Sequence, residues 1–127
     1  VDLVKDKAVL ERAYNDGKGV TAKFNLNILK RLNREIGTDF DLAKWEHYSY
    51  YNTDKNRIEM HLRSLADQKV HVNGSLFSIK KGETILTEYS YKYTLKGFKD
   101  LVSNFFAVEE VWTDVDMNFS VQYLRVL

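Results

Sequence analysis

The sequence predicts an α+β fold: helices first, then an antiparallel meander, then a terminal helix with two further strands. Three observations support this prediction. The first third of the chain has helical periodicity, the period changes to two from Trp45, and a last helical pattern near Thr94 precedes two closing strands. This order differs from the regular alternation of strand and helix in a complete α/β domain.

Two helices are predicted in the first third of the chain. Asp6 can cap the first helix, and the turn-forming residues 15–19 end it. The second helix has an apolar residue at every fourth position, as in a helix with one apolar face, and Gly37 follows its last turn. The repeating apolar residues are Val9, Leu10, Ala13 and Tyr14 in the first helix, and Val20, Phe24, Ile28, Leu32 and Ile36 in the second.

The middle of the chain predicts antiparallel strands. Residues 57–63 alternate polar and apolar side chains, as a half-buried strand does. Asn73-Gly74 between two apolar runs predicts a hairpin with a type I′ turn. Gly82 marks the next turn, and residues 84–91 form the following strand.

The last part of the chain predicts one helix and two strands. Thr94 can cap the helix, and its apolar residues are expected to point inward. Strands are expected at 107–113 and 119–126, on either side of the polar loop 114–118. The apolar residues expected inside are Leu95, Phe98, Leu101, Val102 and Phe105.

Composition excludes several classes of function. A net charge of +1, with no run of Lys or Arg longer than two, argues against a nucleic-acid or acidic-membrane binder. The absence of cysteine excludes disulfides, thiolate metal sites and a cysteine nucleophile, and it fits a cytoplasmic protein. No signal peptide or apolar run of about 20 residues is present, so no membrane association is predicted. The start at Val1 rather than Met suggests a piece or a processed product.

No catalytic or metal-binding constellation is evident. His47, His61 and His71 are too scattered for a zinc site, and a turn accounts for Asp114 and Asp116. The chain also lacks the glycine-rich phosphate and dinucleotide motifs and the nucleophile elbow.

One polar pair stands out on the strand 84–91. Glu88 and Ser90 share a face, with Cα atoms about 7 Å apart, and Leu86 is expected to precede them on that face. A carboxylate and a hydroxyl beside apolar surface are suited to the floor of a binding pocket. The alternative is a surface strand whose Glu88 and Ser90 face water.

Other candidate residues also have two interpretations. Met60 is either core packing or a pocket wall, and Tyr14 either closes the core with its ring or presents its hydroxyl to a ligand. The tyrosines either form a stacking platform or pair across the sheet. Six of these tyrosines cluster at Tyr48, Tyr50, Tyr51, Tyr89, Tyr91 and Tyr93.

Several longer segments, read in order, resemble the C-terminal part of the histidine-specific, S-adenosylmethionine-dependent methyltransferases. That family trimethylates the α-amine of L-histidine to hercynine in ergothioneine biosynthesis. The resemblance covers essentially the whole chain. Its segments are 2–6 (DLVKD), 13–16 (AYND), 19–27 (GVTAKFNLN), 57–62 (RIEMHL) and 87–93 (TEYSYKY), with Tyr89 where the family often has asparagine.

The resemblance implies a division of the chain and a cofactor. Residues 1–93 would form the helices and the antiparallel substrate-binding domain, with 1–5 as the tail of a central strand of the methyltransferase sheet. Residues 94–127 would belong to the Rossmann-type methyltransferase domain. S-adenosylmethionine would be bound upstream, so the chain alone is expected to be inactive, and its exposed sheet edges are expected to favour self-association.

The resemblance also implies four contacts with L-histidine. Tyr14 matches the tyrosine that holds the substrate carboxylate. Glu88 and Ser90 match the pair at the imidazole, and Met60 matches the methionine beside that ring. Two other functions stay open: methylation of another amino acid, such as a tryptophan derivative, and a non-catalytic binding module that uses the tyrosines as its contact surface.

Overall fold

A computed structural model describes residues 1–127. It contains three α-helices, one short 3-10 helix and seven strands, so the predicted α+β class is confirmed. No helix is long and apolar enough to cross a bilayer. The elements are α1 Lys7–Tyr14, α2 Val20–Ile36, the 3-10 helix Leu42–Lys44, β1 Trp45–Asn52, β2 Arg57–Ser64, β3 Gln68–Val72, β4 Ser75–Ile79, β5 Thr84–Tyr91, α3 Leu95–Val102, β6 Phe106–Thr113 and β7 Ser120–Val126.

The strands form one three-stranded sheet and two hairpins. β2 lies between β1 and β5 and is antiparallel to both, while β3 pairs with β4 and β6 pairs with β7. The predicted hairpin turn is confirmed, because Asn73 and Gly74 have φ of 48° and 78°, the positive values that a type I′ turn requires.

The predicted helix ends are also confirmed. The Asp6 carboxylate accepts hydrogen bonds from the backbone N–H of Ala8 and Val9, which satisfies donors that the first turn leaves free. Gly37 follows α2 with φ of 68°, a conformation that costs glycine little. Thr94 caps α3 by accepting from the N–H of Gly97.

The apolar stripe of α2 is not the side of the helix that packs on the sheet. Its i, i+4 stripe is mostly exposed, with Phe24 at 66%, and the residues that face the sheet are Asn25 and Leu29. The sheet contacts the neighbouring row of the helix, where Leu29 packs into a cluster with Trp45. The other buried members of that cluster are Phe40, Leu62 and Val70.

The expectation for α3 was wrong in part. Leu101 and Phe105 are 61% and 70% exposed rather than inward, and no residue of this helix is buried. The packing partners of α3 are β6 and the ring of Tyr93, which meets Phe98 edge to face at 5.7 Å. These contacts leave the opposite side of the helix uncovered.

β2 is buried on both faces, although its alternation predicted a half-buried strand. Ile58, Met60 and Leu62 lie under the helices, and Arg57 and Glu59 on the other face are only 7% exposed. Aromatic side chains of β1 and β5 cover these two charged residues, as described below. A polar residue at an alternating position is therefore not a reliable sign of contact with water when its neighbours are large.

The chain start lies between the end of β5 and β7. Leu3 forms a parallel bridge to Tyr93, and Asp2 forms an antiparallel bridge to Phe119. Backbone hydrogen bonds from Val4 N–H to Tyr93 and from Tyr93 N–H to Asp2, each 3.0 Å, fix this position. The segment thus places Asp2 beside the residues that follow β5.

Candidate functional site

The four predicted site residues lie on the helix-covered face of the β1–β2–β5 sheet. The register pairs Glu88 with Met60 and Ser90 with Ile58, and directly paired residues share a face. Tyr14, at the end of α1, packs against the buried cluster that contains Ile58 and Met60.

Two of these residues are joined directly. The Tyr14 hydroxyl and Ser90 Oγ are 2.7 Å apart and form a hydrogen bond in which either can donate. The Tyr14 ring packs against the core, and its hydroxyl is bonded within the protein. The contact of this hydroxyl with a ligand stays a prediction. Met60 lies beneath, 2% exposed, next to Leu10 and Tyr51 in the same cluster.

A buried lysine, which sequence reasoning missed, completes this group. The Lys92 side chain is 0% exposed, and its Nζ donates to Ser90 Oγ at 2.8 Å and to the Tyr14 hydroxyl at 3.0 Å. Its third partner is Asp2 Oδ2 at 2.8 Å, and Asp2 Oδ1 also pairs with Lys5 Nζ at 2.5 Å. Lys92 therefore has all three ammonium protons in use.

The opposite charges of Lys92 and Asp2 each keep the other group ionised. Burial by itself lowers the pKa of Lys92, but the hydrogen bonds to Asp2 and Tyr14 outweigh burial, and the pKa is raised. Burial pushes the pKa of Asp2 up, but the two lysines more than offset it, and the pKa is lowered. Both groups therefore stay charged at neutral pH, and two lysines against one aspartate leave one net positive charge beside Tyr14.

Glu88 stands apart from the other three residues. It is exposed, its carboxylate makes no hydrogen bond or ion pair with the protein, and it lines an open groove of about 380 Å³ between α2 and β5. Phe24 and Ile28 of the α2 stripe form apolar walls of this groove, and Arg31 and Glu35 lie at its margin. The groove does not include Tyr14, Met60 or Ser90, so one closed pocket does not contain the four residues.

The expectation that Leu86 shares a face with Glu88 and Ser90 was wrong. The register shifts at Met60 and His61, so Leu86 pairs with His61 and Thr87 is left as an extra residue in β5. A bulge of this kind reverses which side chains point to a given face. The apolar surface beside Glu88 comes from α2, not from Leu86.

The buried Asn25 holds the bulge in place. Its amide oxygen lies 2.7 Å from Thr87 Oγ1, and its amide nitrogen donates to the His61 carbonyl and to His47 Nδ1, each at 3.0 Å. Because His47 Nδ1 accepts, its Nε2–H is the donor to the Tyr14 carbonyl at 2.8 Å. One amide of α2 thus fixes the strand that carries Glu88 and, through His47, the helix end that carries Tyr14.

The opposite face of the same sheet carries most of the clustered tyrosines. Arg57 pairs with Glu59 at 2.7 Å, its guanidinium lies 3.4 Å from the Tyr89 ring centroid, and it donates to the Tyr91 hydroxyl. The Tyr50 hydroxyl donates to Glu59, and the Tyr50 ring stacks on His61. The polar groups of Tyr50 and Tyr91 therefore bind within the protein, which favours pairing across the sheet over a free stacking platform.

Comparison with known proteins identifies the family. The family model described as "Histidine-specific methyltransferase, SAM-dependent" matches residues 1–126. The chain belongs to this family. The resemblance read from its sequence motifs is thereby confirmed.

Individual members of the histidine-specific methyltransferase family are similar over most of the chain. A histidine N-alpha-methyltransferase from Mycolicibacterium smegmatis is 48% identical over 94 residues, and one from Mycobacterium tuberculosis is 46% identical over 94 residues, each match covering 72% of this chain. The ergothioneine biosynthesis protein 1 of Schizosaccharomyces pombe is 33% identical over 90 residues, or 69% of this chain. The matched part spans 29% of each mycobacterial protein and 12% of the yeast protein.

Proposed function

We propose that this chain is the amino-acid-recognising part of a methyltransferase that transfers methyl groups from S-adenosylmethionine to the α-amine of L-histidine, giving hercynine. The observation that carries the proposal is the shared face of β2 and β5. That face carries the family-matched Tyr14, Met60, Glu88 and Ser90, and the Glu88 carboxylate has no partner within the protein. A carboxylate left free in a groove is available for a ligand.

Each of the four residues has a distinct part in this proposal. Tyr14 donates its hydroxyl proton to the substrate carboxylate. Glu88 accepts a hydrogen bond from one imidazole N–H. Ser90 forms a hydrogen bond with the second nitrogen of that ring. Met60 contributes apolar contact beneath the ring. Glu88 also opposes the tryptophan-derivative alternative, because indole has a single N–H and no second ring nitrogen to satisfy the pair.

Methyl transfer requires a binding surface for the methyl donor that the residues of this chain do not supply. When bound, S-adenosylmethionine supplies an electrophilic methyl group on a sulfonium. The residues of this chain do not fit that cofactor: its glycines lie at turns, at helix ends and within α3, and no glycine-rich loop is present. No residue here is placed as a catalytic base, so this chain's contribution is to bind the amino acid and orient its amine.

We assign residues 1–93 to amino-acid binding and residues 94–127 to the methyltransferase sheet. The bridge of Asp2 to Phe119 supports this assignment, because it places the segment at the chain start beside the residue that precedes β7. The exposed margin of the groove between α2 and β5 would then be closed by the cofactor-binding part. A cytoplasmic location remains a prediction.

Methyl transfer tests this proposal. The 127-residue chain, given labelled S-adenosylmethionine and histidine, is expected to transfer no methyl group, since it does not hold the cofactor. The full-length enzyme that carries this chain is expected to convert histidine to its trimethylated product. Turnover by the short chain alone, or a full-length enzyme that leaves histidine unmodified, would refute the assignment.

Specificity tests the site residues. In the full-length enzyme, Glu88→Ala should weaken histidine binding by about 1–3 kcal/mol, tenfold to a hundredfold, and leave binding of S-adenosylmethionine unchanged. Adding Met60→Val enlarges the space beneath the ring, so kcat/KM for tryptophan should rise relative to histidine, with the Glu88 change dominating. An unchanged ratio in the double variant would mean that these residues do not form the pocket.

We also propose that the short chain self-associates through its strand edges. β6 and β7 form an isolated pair, and Trp112 and Val121 on them are 56% and 58% exposed. Light scattering at rising concentration should show a growing average mass. A strict monomer at high concentration would contradict this part of the proposal alone.

A further inference from the structure

Lys92 is the most deeply buried charged side chain in the chain, and each N–H of its ammonium points at an acceptor oxygen. Its three N–H groups meet Asp2 Oδ2, Ser90 Oγ and the Tyr14 hydroxyl at 2.8, 2.8 and 3.0 Å. Its Nζ also lies 4.8 Å from the Tyr14 ring centroid. An unpaired buried ammonium is costly, so this geometry persists because every proton has an acceptor.

Counting protons shows what Lys92 does to the two hydroxyls. Each hydroxyl has one proton to donate and can accept. Lys92 occupies an acceptor position on both, and one of their protons forms the 2.7 Å bond between Tyr14 and Ser90. The pair therefore has one O–H left for a ligand. When Tyr14 donates outward, Ser90 donates to Tyr14 and keeps a lone pair free to accept.

The Lys92 ammonium suits an anionic ligand group at Tyr14. It is the nearest cation to the Tyr14 oxygen, at 3.0 Å, whereas Lys5 pairs only with Asp2. A carboxylate oxygen bonded to Tyr14 at about 2.7 Å would lie within about 6 Å of the ammonium. At that distance, and shielded from water, the attraction is appreciable.

We propose that Lys92 is a positioning residue for the substrate carboxylate, acting through Tyr14 and Ser90 and anchored by Asp2. This inference rests on the proposed function, because it assumes that Tyr14 is the carboxylate contact. Lys92 itself need not touch the amino acid. It holds both hydroxyl oxygens in place and leaves the pair one O–H for a ligand.

The matched control is Lys5. It pairs with the same Asp2 carboxylate as Lys92 but contacts neither hydroxyl. Lys5→Met and Lys92→Met remove the same formal charge from the cluster. Only the second removes the hydrogen bonds to Tyr14 and Ser90, so the pair of variants separates positioning from net charge.

The experiment compares histidine with histamine, which lacks the carboxylate, as ligands of the full-length enzyme. Lys92→Met should raise the Kd for histidine by about tenfold to a hundredfold and leave the Kd for histamine within about threefold. Lys5→Met should change both by less than about threefold. In a Tyr14→Phe background, Lys92→Met should lose most of its effect, because the hydroxyl through which it acts is gone.

Three results would overturn the inference. Equal losses for histidine and histamine would indicate a structural role only. A Lys5→Met loss as large as that of Lys92→Met would indicate net charge. Undiminished histidine binding in Lys92→Met would exclude any role. If the unmodified enzyme binds no histidine, the proposed function itself fails, which is a separate result.

A second measurement needs no variant and so does not depend on folding of Lys92→Met. In the unmodified enzyme, the side-chain nitrogen resonance of Lys92 should shift when histidine is added and shift much less with histamine. The Lys5 resonance should respond to neither. Equal Lys92 shifts with both ligands would contradict the inference.

Discussion

Each face of the β1–β2–β5 sheet carries a glutamate, and the two carboxylates differ in their hydrogen bonds: one has several donors and the other has none. Glu59 accepts from Tyr50, Asn52 and Arg57, and these donors hold its pKa at about 2 although burial opposes them. Glu88, on the helix-covered face, has no partner and lies open in a groove. A carboxylate with all its acceptor sites filled stabilises the fold, whereas one left free can bind a ligand.

The same contrast separates the hydroxyls. Tyr50 and Tyr91 donate to or accept from charged neighbours that are themselves fully paired. Tyr14 and Ser90 bond each other and Lys92, which leaves one outward proton between them. On the tyrosine-rich face, which carries Tyr50 and Tyr91, these hydroxyls are thus bound within the protein. On the helix-covered face, the pair of Tyr14 and Ser90 has one O–H left.

The largest expected effect is the loss of Glu59. Glu59→Ala leaves Arg57 buried without its partner, so the free energy of unfolding should fall by about 3–5 kcal/mol in urea titrations of the 127-residue chain. The matched control is Glu46→Ala, which breaks the more exposed pair with Arg63 on the same face and should cost under about 1 kcal/mol. Equal effects would mean that the tyrosine-rich face is not held by Glu59.

On the helix-covered face, the contribution of α2 to the free energy of unfolding should come from one row of its residues. Leu29→Ala removes a buried side chain, 1% exposed, and should lower the free energy of unfolding by about 2–5 kcal/mol. Phe24→Ala, in the exposed stripe of the same helix, should change it by less than about 0.5 kcal/mol. Thermal unfolding checks both, and a larger effect at Phe24 would show that the helix packs on its stripe.

Low pH should lower the free energy of unfolding by protonating Glu59 on the tyrosine-rich face. Because the pKa of Glu59 is lowered from 4.5 to about 2, its stabilisation is complete above its unfolded pKa and is lost as pH falls through about 2. Unfolding free energy should therefore drop between about pH 4.5 and 2, by less than the full Glu59→Ala effect. In Glu59→Gln that slope should flatten, and an unchanged slope would place the acid-sensitive group elsewhere.

Local signals predicted most of the fold. The Asn73-Gly74 turn, the Asp6 and Thr94 caps and the strand 84–91 all depend on neighbouring residues, and all are confirmed. The position of Leu86 was wrong because the bulge at Thr87 depends on Asn25, 62 residues away in sequence. No local pattern contains that contact.

The shared face of the candidate residues was predicted in part, and the lysine that contacts two of them was missed. Family motifs supplied Tyr14, Met60, Glu88 and Ser90, and strand spacing alone placed Glu88 and Ser90 on one face. Lys92 was missed because lysine is normally a surface residue, and its burial depends on Asp2 at the other end of the chain. The only available signal was that Asp2 and Lys92 both fall within family-like segments, DLVKD and TEYSYKY.

Neighbouring residues of β5 allow the most direct test, because Glu88 and Tyr89 lie on opposite faces of the sheet. In the full-length enzyme, kcat/KM for histidine should fall tenfold to a hundredfold, or about 1–3 kcal/mol, in Glu88→Ala, and stay within about threefold in Tyr89→Phe, which keeps the ring over Arg57. A large loss in Tyr89→Phe with none in Glu88→Ala would contradict the account, since it would place histidine on the tyrosine-rich face.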